Sequence, residues 1–281
     1  LIILVVMMQQ VKVAPFAPES NRDRFLHAHF MSITNKNWGG GSSNGPMGIK
    51  TARECFQSLK TPEAVTIYTC MVVSTPVNLS GQPAVGIDLL QTDDVFWHVF
   101  DFSFTAGKPY DKATFDAGLP VAVITESVAR RLFQTTDAVG REFLLNHAPY
   151  KVEGVVKDVS TLASVAYGQV WVPYTSTEIT KDTWSDDHMG MMSCTILARS
   201  RDDFDAIRAE AERRRQEYNS IIGEDGYELI YRNRPYDQEK SSIAFSANQE
   251  PDLDQHRRQR MIIFIILSLI HISEPTRPEP I

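Results

Sequence analysis

The residues of this 281-residue chain that could do chemistry are its seven histidines, three cysteines and many carboxylates, and their spacing decides what chemistry is open to them. The stretch Gly45-Pro-Met-Gly-Ile-Lys-Thr51 has the glycines and lysine of a phosphate-binding loop. That loop needs Gly directly before Lys and a hydrophobic strand in front, whereas here Ile49 intervenes and a Gly/Ser-rich segment precedes, so nucleotide binding is not expected. His27 and His29 alternate, and on a strand both would face one side, as two ligands of a shared metal do. No third or fourth ligand follows at useful spacing, which leaves two polar residues near a membrane surface as the competing account. His98, His147 and His188 stand singly, none in a nucleophile-and-base context.

The carboxylates Asp93, Asp94, Asp101, Asp111 and Asp116 are dense enough for a glycosidase pair, but that chemistry is defined by a separation, and turn acids and helix caps account for most of them. Phe96, Trp97, Phe100, Phe102 and Phe104 follow a strand-like alternation and read as core rather than as a ligand platform. Cys55, Cys70 and Cys194 make an odd count; Cys70 and Cys194 fall in comparable strands, so a disulfide between them and buried thiols are both open. No catalytic, cofactor-binding or metal-ligating set emerges, and the chain is not expected to be an enzyme or to carry a cofactor.

Composition agrees with a folded chain. With 43% hydrophobic and 22% charged residues the chain has ordinary globular content. A net charge of -7, spread along the chain, offers no basic stripe for a phosphate backbone, so nucleic acid is excluded as a partner. Apolar residues concentrate at the two ends, in Leu1, Ile2, Ile3, Leu4, Val5 and Val6 and in Met261, Ile262, Ile263, Phe264, Ile265, Ile266 and Leu267. Counted from Leu1 to Met8 and from Met261 to Ile270, these runs would as helices be roughly 12 and 15 Å long against roughly 30 Å of bilayer hydrocarbon, so each is expected to be part of a longer transmembrane helix; a buried strand at each end is the alternative. Residues 268–281 carry charges and three prolines that a spanning helix could not absorb. They read as foreign sequence joined to a truncated frame and are set aside. His256-Arg-Arg-Gln-Arg260 beside the second run would favour a cytoplasmic flank in a short loop, but long segments translocate largely regardless of charge.

Between the ends, the pattern predicts a loop over Asn35 to Gly48 and a helix over Ile49 to Leu59 with Ile49, Ala52, Phe56 and Leu59 on its buried stripe. A strand is predicted over Ala64 to Val73 and another over His29 to Ile33. Late in the chain the same unit recurs: strand Met191 to Ala198, helix Asp202 to Asn219 capped by Ser200, strand Tyr227 to Tyr231. Two such units suggest a split βαβ arrangement. The intervening segment predicts a strand from Pro120 to Thr125, a helix from Glu126 to Phe133, a hairpin over Arg141 to Val156 turning at Asn146-His147, and a short strand from Val170 to Tyr174.

The ordered blocks Asp94 to Pro109, Val121 to Phe133, Ala138 to Phe143 and Tyr150 to Asp158 resemble the MacB-type periplasmic core domain of ABC transporter permeases, relatives of the FtsX and lipoprotein-releasing permeases. The resemblance rests on an aromatic segment ending at Gly107, the helix motif with Arg130 and Phe133, the turn at Gly140 and the strand through Gly154 to Asp158. It implies an α+β fold: a porter-like split βαβ subdomain over 9–77 and 187–258, an inserted second α+β lobe over 78–186, and partial transmembrane helices over 1–8 and 259–267. It also implies a membrane protein with the bulk of the chain periplasmic, an ABC ATP-binding subunit as partner, a homodimer or permease pair, a periplasmic adaptor, and coupling of ATP hydrolysis to export or release. A ligand-sensing domain of a two-helix receptor would share the apolar–soluble–apolar layout and stands as the alternative.

Overall fold

In the computed structural model, residues 13–230, 235–244 and 251–273 are described; Leu1 to Val6 of the first apolar run lie outside them. The first third carries strands β1 (Phe25–Ala28), β2 (Met31–Asn35), β3 (Ser42–Gly45), β4 (Ala64–Thr69), β5 (Val73–Asn78) and β6 (Val85–Thr92). The middle adds β7 (Phe104–Gly107), β8 (Val121–Thr125), β9 (Glu142–Leu145), β10 (Ala148–Val156) and β11 (Val170–Pro173). The remainder carries β12 (Thr183–Trp184), β13 (Met189–Gly190), β14 (Met192–Leu197), β15 (Tyr227–Ile230) and β16 (Tyr236–Asp237).

One large sheet runs in the order β11-β8-β10-β9-β5-β6-β4-β14-β1-β16, and β11 also pairs with β6. The strands β6, β5, β9, β10, β8 and β11 therefore close on themselves, which removes the exposed edges that an open sheet would present. Inside the ring, Ile87, Leu89, Ile124, Phe143, Val152 and Val172 form one core, against which the helix Glu126–Phe133 packs Val128, Ala129 and Leu132. Outside it the sheet continues as β4-β14-β1-β16, all antiparallel. A second core there joins Leu26, Met31, Phe56, Ile67 and Ile196 to Phe204, Ile207, Ala211 and Tyr218 of the helix Phe204–Ile222. Ser200 and Asp203 close a capping box before that helix, as its position in the sequence predicts.

Several expectations need correction. The loop over Asn35 to Gly48 contains a one-turn helix, Lys36–Trp38, and strand β3, because β2 takes β3 and β15 as partners on its two edges. The helix at Ile49 becomes a π-helical turn at Arg53–Gln57. The strand from Ala64 to Val73 breaks at Cys70, where β4 leaves β14 and β5 turns to pair with β6 and β9. The aromatic run is not a strand at its start: Phe96–Val99 is a helical turn, since the Asp93 carboxylate accepts the Phe96 N–H at 3.0 Å and caps it. At the C-terminal end the helix Leu253–Ser273 carries Met261 to Leu267 and continues past residue 268; among the described residues no helix is long and apolar enough to cross a membrane.

Candidate functional site

The ring and the rest of the sheet meet at one strand pair, Tyr68 opposite Thr92. Asp93, wholly buried, reinforces that joint from the next position. Its Oδ1 accepts from Thr66 Oγ1 at 2.6 Å and from the Phe96 N–H, its Oδ2 accepts the Ile67 N–H at 2.7 Å, and its own N–H donates to the Ile67 carbonyl. A third core lies across the joint: Phe25, Tyr68 and Leu197 pack against Phe96, Phe100, Tyr110 and Trp171. Several of these rings meet edge to face, with Phe25 and Phe100 centroids 5.4 Å apart.

Burial pushes the Asp93 carboxyl up to about 7, against the pull of its three donors. The neutral acid keeps its place because the Thr66 hydroxyl can rotate to accept its proton. The native state thus binds this proton more tightly than the unfolded chain, with its value near 3.8. The associated stability is present at low pH and is lost as pH rises from about 4 through about 7. Asp93→Asn is expected to flatten that slope in urea unfolding midpoints and to lower stability throughout, because an amide NH2 at either oxygen position faces a backbone N–H.

Beside the joint a buried polar relay crosses four elements. For a neutral His27 ring its direction is determined: Tyr68 O–H donates to Thr195 Oγ1 (2.7 Å), Thr195 to His27 Nδ1 (3.1 Å), and His27 Nε2 to Gln238 Oε1 (2.7 Å). Burial lowers the His27 pKa to about 4, which keeps the ring neutral. His29 is not on the same strand as His27, since β1 ends at Ala28, yet the two rings stack with centroids 5.1 Å apart. Both nitrogens of His27 are engaged in this relay, and no group of three or more His, Cys, Asp or Glu able to hold a metal ion occurs among the described residues.

Glu19 and Arg22 form an ion pair at 2.6 Å with both side chains fully buried. Arg22 also donates to the Leu162 carbonyl (2.8 Å), and Glu19 Oε1 accepts the N–H groups of Val165 and Ala166 (2.8 and 2.9 Å). The pair thereby fixes the loop between β10 and β11 onto the start of the chain. The i,i+3 spacing of Glu19 and Arg22 is a signal visible in the sequence, whereas Thr195 and Gln238 carry none.

The positions carried by the family resemblance are dispersed through the second half of the ring rather than gathered in a pocket. Gly107 sits opposite Gly154 across β7 and β10, with φ at 66°; a Cβ on it would stand 2.2 Å from the Glu153 carbonyl oxygen, and one on Gly154 would stand 2.6 Å from that of Lys108. Gly140 turns at φ 81° before β9. Asp158 accepts the Ser127 N–H at 3.2 Å near the start of the helix Glu126–Phe133, and Phe133 lies under the Arg141 guanidinium at 5.6 Å. Arg130 makes an exposed ion pair with Glu126 at 2.6 Å. Arg130→Ala is therefore expected to shift stability by less than about 0.5 kcal/mol in thermal or urea unfolding.

Met261, Ile262, Ile265 and Ile266 are all about half exposed on their helix, and Ile263, Phe264 and Leu267 lie on the same helix. Cys70 and Cys194 are free thiols. The register sets Cys194 opposite Ile67, three residues short of Cys70, which decides against the disulfide that the sequence left open.

The sequence profile of the MacB-like periplasmic core domain matches residues 1–214. The ABC transporter permease YknZ of Bacillus subtilis is 26% identical over 139 residues, 49% of this chain and 33% of YknZ. The macrolide export ATP-binding/permease protein MacB of Burkholderia cenocepacia is 35% identical over 85 residues, 30% of this chain and 12% of that protein. The matched stretches thus span a third or less of these curated relatives. A solved domain of a Porphyromonas gingivalis permease protein shares the fold at a TM-score of 0.52 and 17% identity, covering 85% of this chain and 97% of that one. The chain belongs to the MacB-like periplasmic core domain family.

Proposed function

We propose that this chain supplies the extracytoplasmic domain of an ABC transporter permease subunit in a bacterial inner membrane. In this reading the apolar runs Leu1–Val6 and Met261–Leu267 belong to membrane anchors, residues 9–77 and 187–258 form the porter-like βαβ subdomain, and 78–186 the inserted lobe. ATP hydrolysis on a partner ABC subunit drives movement that the domain passes outward for substrate export or release, as a homodimer or permease pair engaged by an adaptor. Gly107, Gly154, Gly140, Phe133 and Asp158 act by holding the inserted lobe rigid.

The observation that carries this reading is where the chain enters and leaves. Leu26 lies opposite Asp237 and His27 opposite Tyr236, so the first and last strands of the large sheet run side by side, antiparallel. Segments before β1 and after β16 then leave from one end, as anchors in a single membrane require. After β16, Arg257 of the helix Leu253–Ser273 grips Glu239 through two hydrogen bonds of 3.0 and 2.6 Å, linking that helix to the sheet. Strand order supports the porter-like subdomain, since the run β4-β14-β1-β16 follows the order of a split βαβ fold.

Protease accessibility tests the placement. In spheroplasts expressing the chain, protease added outside should digest the segment between Phe25 and Asp237 while the membrane fraction retains the flanking apolar segments. Full protection of that segment, or its recovery in the soluble fraction without digestion, would overturn the placement.

A further inference from the structure

Two neighbouring cavities of about 390 and 200 Å³ share His29, Cys70, Ser164 and Val165 in their walls, so they are parts of one groove between the bend after β4 and the loop before β11. Among the described residues, no carboxylate, lysine or arginine lines it. Burial lowers His27 to about 4 and raises Cys70 to about 11, Tyr167 to about 12 and Tyr68 well above its usual value, which keeps these four lining groups neutral. The lining mixes uncharged polar side chains, among them Thr161, Ser164, Ser241, Ser242 and Gln238, with apolar ones such as Leu162, Val165 and Phe30. Leu162 and Met71 stand 49% and 54% exposed among the lining residues. One wall is preformed, because the Glu19–Arg22 pair fixes Leu162, Val165 and Ala166 by their backbones.

These properties select a ligand by exclusion. An ion entering the groove would lose its hydration with no countercharge to replace it. A purely apolar molecule would cover the wall hydroxyls without pairing them. A molecule with an uncharged hydroxylated head and an apolar tail does neither, and the groove lies within the size range of small-molecule sites. We propose that this groove binds an uncharged amphiphile, its head group taken by Thr161, Ser164 and Ser241 and its apolar part by Leu162, Val165 and Met71. The site depends on neither a membrane anchor nor an ATPase partner, so it stands or falls apart from the transport reading.

Cys70 gives a readout inside the groove, with the buried Cys55 and Cys194 as internal references. The full chain in lipid nanodiscs is alkylated by a maleimide at mildly alkaline pH and each cysteine followed by peptide mass spectrometry. Octyl glucoside below its micelle-forming concentration is expected to slow Cys70 alkylation several-fold, while octyl sulfate and octyltrimethylammonium at equal concentration leave it unchanged. Leu162→Asp, at a half-exposed position, should abolish the protection while the unfolding midpoint holds; Met71→Asp repeats the test should that variant misfold. Equal protection by all three amphiphiles, which marks membrane partitioning only, overturns the proposal, as does no protection by the glucoside.

Discussion

Gly107→Ala is expected to destabilise the domain by on the order of 3 kcal/mol or more, read as a fall in the urea midpoint with little change in slope. Two costs add. A residue with a Cβ at φ 66° bears the left-handed penalty of about 1–2 kcal/mol. The new methyl also stands 2.2 Å from the Glu153 carbonyl oxygen and 2.9 Å from Val139 Cγ2, and the first of these is backbone in β10 that cannot yield without moving the ring. Gly140→Ala separates the terms: its φ of 81° carries a similar conformational penalty, but the nearest atom to a new Cβ is the flexible Lys151 Cε at 4.0 Å. It should cost about 1 kcal/mol. Equal losses for the two variants would show that the close β7–β10 approach contributes nothing.

Arg22→Met should cost about 3–5 kcal/mol, because it leaves the Glu19 carboxylate buried with no partner charge. The double variant Glu19→Leu/Arg22→Met should lose less than the sum of the two single variants, since it removes the stranded charge together with its partner. Part of the loss remains in the double variant, as the N–H groups of Val165 and Ala166 give up their acceptor. Hydrogen exchange at those two amides should accelerate in every variant lacking Glu19. Additive single and double losses would place the value of the pair in packing rather than charge.

Elements set by local pattern were legible in the sequence. Residues Glu126–Phe133 form the helix at the limits read from Val128, Ala129, Leu132 and Phe133, and the Ser200 cap precedes its helix as expected. The hairpin turns at Asn146 and His147, both at positive φ, because two residues in that conformation match the twist of the strands they join. Errors arose where a distant partner outweighed local preference. Phe96 to Val99 has the alternation of a strand, but a carboxylate buried by strands β4 and β6 caps it into a helical turn. Cys70 reads as mid-strand, but there the chain exchanges β14 for β6 and β9 as its neighbours.

The candidate site divides the same way. Gly107 and Gly154 are marked in the sequence by the family resemblance, and Gly140 also by the turn it closes. That Gly107 faces Gly154 depends on the register of β7 against β10, which no local pattern encodes. Periodicity, caps and turn residues act within a few positions, so the sequence alone determined the helices Glu126–Phe133 and Phe204–Ile222, the hairpin and the family blocks. The closed ring, the one-pair joint at Tyr68 and Thr92, the burial of Asp93 and of the Glu19–Arg22 pair, and the charge-free groove were decided only by tertiary structure. Each depends on residues far apart in the chain meeting where water is excluded, and that exclusion gives a carboxylate or an ion pair its structural weight.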